Sequence, residues 1–405
     1  MPDQVTAGRG DTPPPVYEPA DPEVLGDPYP LYARLRDEAP LHRAPLGFWV
    51  LSRFDDVSRS ALDTATYSSA QGLTWEVDEI TRLGLKPTLV MMDRPRHTTF
   101  RRLISRGFTP RHVATMEPVV RAFVRERVAR LADAGSGDLI EELAGPLPTL
   151  VVAAYLGVPA LDRPQFDAWS GAIVTANAAG DVVGGAGRAV GELYGYFSEL
   201  IEHRRHHPAD DMLSDLVAAR VDGQPLGIDE ILGFCFVMIA GGNDTATGLI
   251  GGSMAALTER PDQRDLLVHE PNLLPGAVDE LLRWTSPVQG LSRTTTRRVL
   301  VHGTTIAAGD KVHLLYGSAN RDPREFGPTA GELDVTRTIP RMMAFGNGPH
   351  HCIGAAAARL QGRIALEELL ATLPGCTVDP AAGRLAPGPF VRRFVTLPFD
   401  AGRPN

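Results

Sequence analysis

Apolar positions along the 405-residue chain recur mostly at intervals of three and four, the period of a helix face turned towards a core. Only short stretches alternate in the two-residue period of a strand. A first helix is predicted from Asp27-Pro28 through Tyr32, Leu35 and Arg36, stopping before Pro40, because Asp suits an N-cap and Pro the first turn. The aromatic and β-branched run 47–51 reads as a strand, with a short helix over 55–62 and irregular chain over 68–92. From 93 to 130 the spacing is helical and arginine-rich, broken at Pro110 and Pro118. Helices are expected over 139–156, 164–179, 189–206 and 212–221, with the glycine-rich stretch 180–187 as a loop. The longest runs over 228–257, with Asp229 and Glu230 in its first turn, where carboxylates favour the helix dipole. Further helices are predicted over 274–284 and 355–373, β-like alternation over 291–315, a loop over 323–339 and a β-like tail. No internal repeat or charge-block linker interrupts this order. The pattern predicts a mainly α protein with a minor β-sheet, a flexible arm over 1–26 and a single domain over 27–405.

Composition narrows the function classes. With 43% apolar and 22% charged residues the chain can build a large core. The N-terminus lacks the apolar stretch of a signal peptide, and the apolar run 231–240 is about half of the roughly 20 residues that a membrane span needs. No membrane association is expected. A net charge of −9 argues against nucleic acid as a partner. Of the 40 basic residues all but Lys86 and Lys311 are arginine. Three cysteines are too few for a disulfide framework and point to a reducing, cytoplasmic setting.

One of those cysteines sits in the most informative stretch, Phe345-Gly346-Asn347-Gly348-Pro349-His350-His351-Cys352-Ile353-Gly354, just before the helix expected from Ala355. Glycines permit positive φ and close approach to a flat ligand, and a cysteine at a helix mouth feels the positive dipole end, which lowers its thiol pKa. A buried packing cysteine, a zinc ligand and a Cys–His nucleophile are all open on these residues alone. Cys235 and Cys376 read as packing residues. Elsewhere, His97 and Arg101 share a helix face at a spacing of four, and Glu280 and Arg283 form an i,i+3 pair. Gly241-Gly242-Asn243-Asp244-Thr245 places poor helix formers midway along the longest predicted helix, and such local rule-breaking often marks function.

The stretch 345–354 resembles the haem-binding loop F-G-x-G-x-H-x-C-x-G of the cytochromes P450, and the chain is similar to the soluble, actinobacterial-type monooxygenases among them. The resemblance implies the P450 fold, with haem b (iron protoporphyrin IX) between the long central helix and the helix after the cysteine loop. It makes Cys352 the axial thiolate ligand of the iron, within a loop that includes Phe345, Gly346 and Gly354. His97, Arg101, Arg293 and His350 match positions that bind the haem propionates. Glu280, Arg283 and Arg337 match a buried structural network, and Asn320-Arg321-Asp322-Pro323 matches a common bacterial segment. The 241–245 stretch resembles the central-helix motif: Gly241 and Gly242 leave room for dioxygen, Thr245 positions oxygen and water, and Asp244 relays protons. Ala246 stands where a second hydroxyl is usual, with Thr247 following.

The resemblance further implies insertion of one oxygen atom from O2 into a hydrophobic small molecule, by hydroxylation or oxidative dealkylation. Electrons would come from NAD(P)H through a ferredoxin and ferredoxin reductase, since no flavin domain or G-x-G-x-x-G unit is visible. A haem-binding sensor without turnover and a Cys-dependent hydrolase are the alternatives. Family-matched regions supply Leu73, Trp75, Leu89, Ile173, Val174, Val237, Met238, Val288, Leu291, Phe390 and Val391 as candidate pocket residues. Glu76, Asp78 and Glu79 could attract an amine. Arg96, Arg102, Arg106, Arg111, Arg359 and Arg363 are candidates for an electron-donor docking face.

Overall fold

The computed structural model describes residues 13–77, 79, 88–178, 186–221 and 223–402, leaving aside the side chains of 177 and 178. Its principal helices are α1 (Tyr29–Glu38), α2 (Arg96–Ile104), α3 (Glu117–Ala134), α4 (Pro146–Tyr155), α5 (Arg163–Ala178), α6 (Gly187–His206), α7 (Ile228–Glu259), α8 (Leu274–Thr285) and α9 (Ala355–Thr372). Prolines punctuate this order: Pro110 and Pro118 fall in the first turns of helices Pro110–Ala114 and Glu117–Ala134, where a missing N–H costs nothing. The 32-residue α7 crosses the protein with most of its surface buried, and α4, α5, α8 and α9 pack around it. The largest hydrophobic cluster spans these helices, from Leu89 to Ala401.

Five short strands form the main sheet: β1 (Leu41–Arg43), β2 (Trp49–Leu51), β3 (Tyr67–Ser68), β4 (Leu291–Thr295) and β5 (Lys311–Leu314), in the order β1-β2-β5-β4-β3. Only β2 and β5 run parallel, with Val312 opposite Trp49. The tail forms β6 (Phe394–Thr396) and strand Pro398–Asp400, the latter pairing with Ser136–Asp138.

Several expectations need correcting. The arm is not loose throughout: Tyr17 is 1% exposed and packs with Tyr32 and Phe48, and Asp21 caps a short helix Pro22–Gly26. Its residues 1–12 lie outside the described residues, as do Asp78, Lys86 and most of the loop expected at 180–187. The helix expected over 139–156 divides into a π-turn Ile140–Ala144 and α4, because Gly145 N–H bonds back to the Ile140 carbonyl and Pro146 offers no N–H. Residues 212–221 divide into helix Met212–Ala218 and a strand Arg220–Val221 that turns back on Gln224–Pro225. Within the expected loop 323–339, Asp322 caps helix Pro323–Phe326. Among the described residues no helix is long and apolar enough to cross a membrane.

Candidate functional site

The loop before α9 is closed by its own backbone. Cys352 N–H donates to the Phe345 carbonyl at 2.8 Å, Gly346 N–H to Met343 at 2.8 Å, and His351 N–H to Gly348 at 3.0 Å. Gly346 and Gly348 take φ of +66° and +70°, which side-chain-bearing residues rarely adopt, so both glycines are required by the turn. At Gly348 a Cβ would also stand 3.0 Å from the Ala61 carbonyl. Arg101 of α2 donates to the His351 carbonyl at 2.5 Å, and the Arg359 guanidinium lies 4.7 Å from the centre of the Phe345 ring. Cys352 is exposed. Burial raises its thiol pKa, against the pull of the Gly354 N–H, Arg101 and Arg359. The lowering expected from the helix end alone is therefore outweighed in the protein by desolvation. The exposed Cys352 differs from Cys235 and Cys376, which are buried as expected.

Four basic side chains gather beside this loop. The rings of His97 and His350 lie 4.1 Å apart. Burial, then Arg293, His97 and Arg101, depress the pKa of His350 to about 3, and burial followed by Arg101 and Arg94 lowers that of His97. His97 Nε2 and Arg293 Nε are buried with no hydrogen-bond partner. Arg101 and Arg293 beside two imidazoles, with buried nitrogens left unpartnered, form a cradle that an anion would complete, because buried polar groups otherwise find partners.

On α7 the accessible residues Met238, Gly241, Gly242 and Thr245 form a stripe at helical spacing, while Asn243, Asp244, Ala246 and Thr247 are buried. Thr245 Oγ1 donates to the Gly241 carbonyl at 2.9 Å, within the helix. The buried polar residues are locked elsewhere: Thr149 Oγ1 donates to Asn243 Oδ1 at 3.0 Å, and Thr247 Oγ1 to the Ala144 carbonyl at 2.9 Å. Thr247 thus turns away from the stripe. The two glycines also differ. Nothing lies within 4 Å of a Cβ at Gly241, whereas one at Gly242 would stand 3.0 Å from Val152 of α4. Gly241 leaves open space beside the stripe; Gly242 lets α4 approach.

The chain is 53% identical over 393 residues to "Cytochrome P450 130" of Mycobacterium tuberculosis, covering 95% of this chain and 97% of that protein. The chain belongs to the cytochrome P450 family. The family model for cytochrome P450 matches residues 185–373. The vitamin D(3) 25-hydroxylase of Pseudonocardia autotrophica is 38% identical, over 86% of this chain and 87% of the relative. Among solved structures, cytochrome P450 CYP109Q5 from Chondromyces apiculatus superposes with a TM-score of 0.86 at 35% identity, covering 95% of this chain and 98% of that one. The chain is accordingly a P450-type oxidoreductase.

The P450 family implies haem, and the residues fit it. Two propionates would answer the unpartnered nitrogens of His97 and Arg293, and the exposed Cys352 would offer its sulfur to the iron. Glu280, Arg283 and Arg337 come together away from solvent. Arg283 donates to both Glu280 oxygens at 2.6 and 2.7 Å and to the carbonyls of Asn320, Ala330 and Glu332, while Arg337 reaches Glu280 Oε1 at 3.4 Å. Asn320 and Asp322 tie Met343 and Phe54 to the same scaffold.

The candidate pocket residues divide. Leu73, Val174, Val237, Met238, Val288, Leu291 and Val391 are half-buried, as lining residues would be, with Val288 and Val391 paired in an isolated bridge. Ile173 and Leu89 are buried in the main core, contrary to expectation, because their helical positions face neighbouring helices. Trp75 and Phe390 stack on each other at 4.3 Å, and Trp75 also stacks on Phe48 at 5.1 Å, so both rings are engaged in packing. Glu79, expected to attract an amine, is buried and accepts bonds from Leu73 N–H, Thr74 N–H and the Thr74 hydroxyl, each at 2.8 Å.

The docking arginines divide too. Arg96 pairs with Glu230, Arg359 with Asp279, and Arg363 with Glu117 and Glu367, whereas Arg102, Arg106 and Arg111 are exposed and form no ion pair among the described residues. Among the buried charges that sequence reasoning did not single out is Arg393, which donates to Asp244. Its signal was an arginine in the apolar tail Phe390-Val391-Arg392-Arg393-Phe394.

Proposed function

We propose that the chain is a haem-thiolate monooxygenase that inserts one oxygen atom of O2 into a hydrophobic small molecule, with residues 27–405 acting as one catalytic unit. The supporting observation is the accessible Met238–Gly241–Thr245 stripe on α7, which joins apolar surface, open space and a hydroxyl on one helix face. When bound, haem b supplies an iron that uses O2, two electrons and two protons to oxygenate the substrate and release water. Cys352 holds the iron, and His97, Arg101, Arg293 and His350 orient the macrocycle through its propionates. Gly241 keeps the face beside Thr245 clear. Thr245 presents its hydroxyl on that face, and Asp244 on the adjoining flank completes an acid–alcohol pair for proton delivery. The half-buried aliphatic residues around the stripe exclude water and favour an apolar substrate, in keeping with a relative named for vitamin D(3).

Electrons are drawn from NAD(P)H through a ferredoxin reductase and a ferredoxin. The exposed Arg102, Arg106 and Arg111 form the docking face, because Arg363 and Arg359 already have carboxylate partners. Arg102→Glu should slow ferredoxin-driven reduction at least threefold at low salt and lose that effect at high salt, with Arg363→Glu doing less. Equal rates in wild type and Arg102→Glu would remove Arg102 from the interface. The function itself is tested with 18O2. After a screen of hydrophobic compounds for spin-state shifts, reconstituted turnover should place one 18O in the product. Bound haem with no labelled product from any shifting compound would overturn the reading.

A further inference from the structure

Arg393 lies where three elements meet. Its Nε donates to Asp244 Oδ1 at 2.5 Å, its Nη1 to the Phe394 carbonyl at 3.3 Å, and its Nη2 to the Val174 carbonyl of α5 at 3.4 Å. Both charged side chains are nearly sealed, at 5% and 1% exposure. Local sequence prepares the contact. Gly248 sits one turn beyond Asp244 on α7, and a Cβ there would stand 3.0 Å from the Arg392 carbonyl and 3.4 Å from Arg393 Cβ. The segment is stapled in place by Arg392 N–H to the Pro287 carbonyl at 2.7 Å and Gln289 N–H to the Phe390 carbonyl at 2.8 Å.

Asp244 and Thr245 are neighbours in sequence but face differently: the hydroxyl lies on the accessible stripe, the carboxylate on the buried flank. The carbonyl contacts of Arg393 are long, so its short charge-assisted bond is the one to Asp244. We propose that Arg393 is a positioning residue for proton delivery, fixing the Asp244 carboxylate, ionised, against α5 and the start of β6 so that its reach towards Thr245 is set by the guanidinium. The inference rests on the reading of Asp244 and Thr245 as the proton-delivering pair. Arg393 itself touches neither substrate nor haem in this account.

The test uses full-length, haem-loaded protein with ferredoxin, reductase and NAD(P)H in air, without organic substrate, and reads the solvent deuterium isotope effect on NAD(P)H oxidation. The reduced, CO-bound spectrum checks that each variant holds thiolate-ligated haem. Asp244→Asn should change the isotope effect at least twofold. Arg393→Gln should change it in the same sense by a similar factor, Arg393→Lys should fall between it and wild type, and the double variant should not exceed Asp244→Asn, because residues acting as one unit are not additive. Infrared difference spectra should show a shifted Asp244 carboxyl or carboxylate band in Arg393→Gln at neutral pH that is absent from the double variant, since the carboxylate loses a charge-assisted donor. A wild-type isotope effect in Arg393→Gln, with a shifted one in Asp244→Asn, would overturn this proposal alone. A wild-type effect in Asp244→Asn would overturn the acid–alcohol reading and the proposal with it. Should Arg393→Gln fail to hold haem, Arg393→Lys decides: it keeps the charge but cannot span all three acceptors, and an unshifted isotope effect there counts against the proposal.

Discussion

Two buried charged regions of this P450 are built on opposite principles. Around Glu280 opposite charges are paired and the donors of Arg283 are used up: Arg283 is 0% exposed, both of its bonds to the carboxylate are short, and three backbone carbonyls take the rest. Around His350 two arginines crowd two imidazoles whose basicity burial and then the arginines depress, and His97 Nε2 and Arg293 Nε are left without partners. The first region satisfies itself and therefore holds the fold. The second is incomplete without an anion and therefore marks a site. Burial of charge alone does not separate the two; saturation of hydrogen bonds does.

The most severe way to break the comparison is Arg283→Ala. It strands the Glu280 carboxylate in the core and should cost about 3–5 kcal/mol of stability, read as a lower urea midpoint of the haem-free protein or as failure to accumulate. A loss below about 1 kcal/mol would mean the pair is not structural. Next comes Arg293→Ala. Removing one charge-assisted donor should weaken haem binding by about 1.5–3 kcal/mol, roughly ten- to a hundredfold in haem-transfer assays. The haem-free protein should lose little, because a crowding cation has gone. A large loss of haem-free stability with unchanged haem affinity would place Arg293 with the scaffold.

The smallest expected effect tests whether an unpartnered nitrogen is enough to mark a site. His313 Nε2 also lacks a partner, but the ring sits among Tyr17, Phe48, Trp75 and Phe390, with Ser292 as its hydrogen-bonding neighbour, and burial lowers its pKa to about 3. A histidine whose folded pKa is depressed stays neutral in the native state while the unfolded chain takes up a proton. Its contribution is therefore complete above the unfolded value and lost as pH falls from about 6.5 towards 3. Between pH 7.5 and pH 5 the wild type should lose about 2 kcal/mol that His313→Gln does not lose, measured by denaturant titration of the haem-free protein. Equal pH slopes in both would show that His313 is already charged in the fold.

The comparison also shows which features sequence can carry. Prolines 110 and 118 mark helix starts because their lack of an N–H is a local fact, and the pattern from Phe345 to Gly354 is readable because its glycines, capping residues and cysteine act within ten residues of chain. At Gly145-Pro146 the missing N–H of Pro146 is a local signal for a break, but that the turn before it is a π-turn packed against α7 is not written in the spacing. Ile173 and Val174 are adjacent and equally apolar, yet one is sealed in the core and the other half-open, a distinction that depends on which helix stands opposite. Gly241 and Gly242 are equally alike in sequence, and only the approach of Val152 separates them.

By itself, then, the sequence determined the family, the mainly α fold class and the glycine turns of the loop 345–354, since each depends on chemistry carried within short segments. Tertiary structure decided what contacts between distant segments decide: that Asp244 is held by Arg393 149 residues away, that Trp75 packs on Phe390, and that Arg363 is neutralised by Glu117 while Arg102 stays exposed. Spacing along a chain reports which face a residue shares, but the partner across that face is fixed only when the helices pack and desolvation makes each unpaired charge costly.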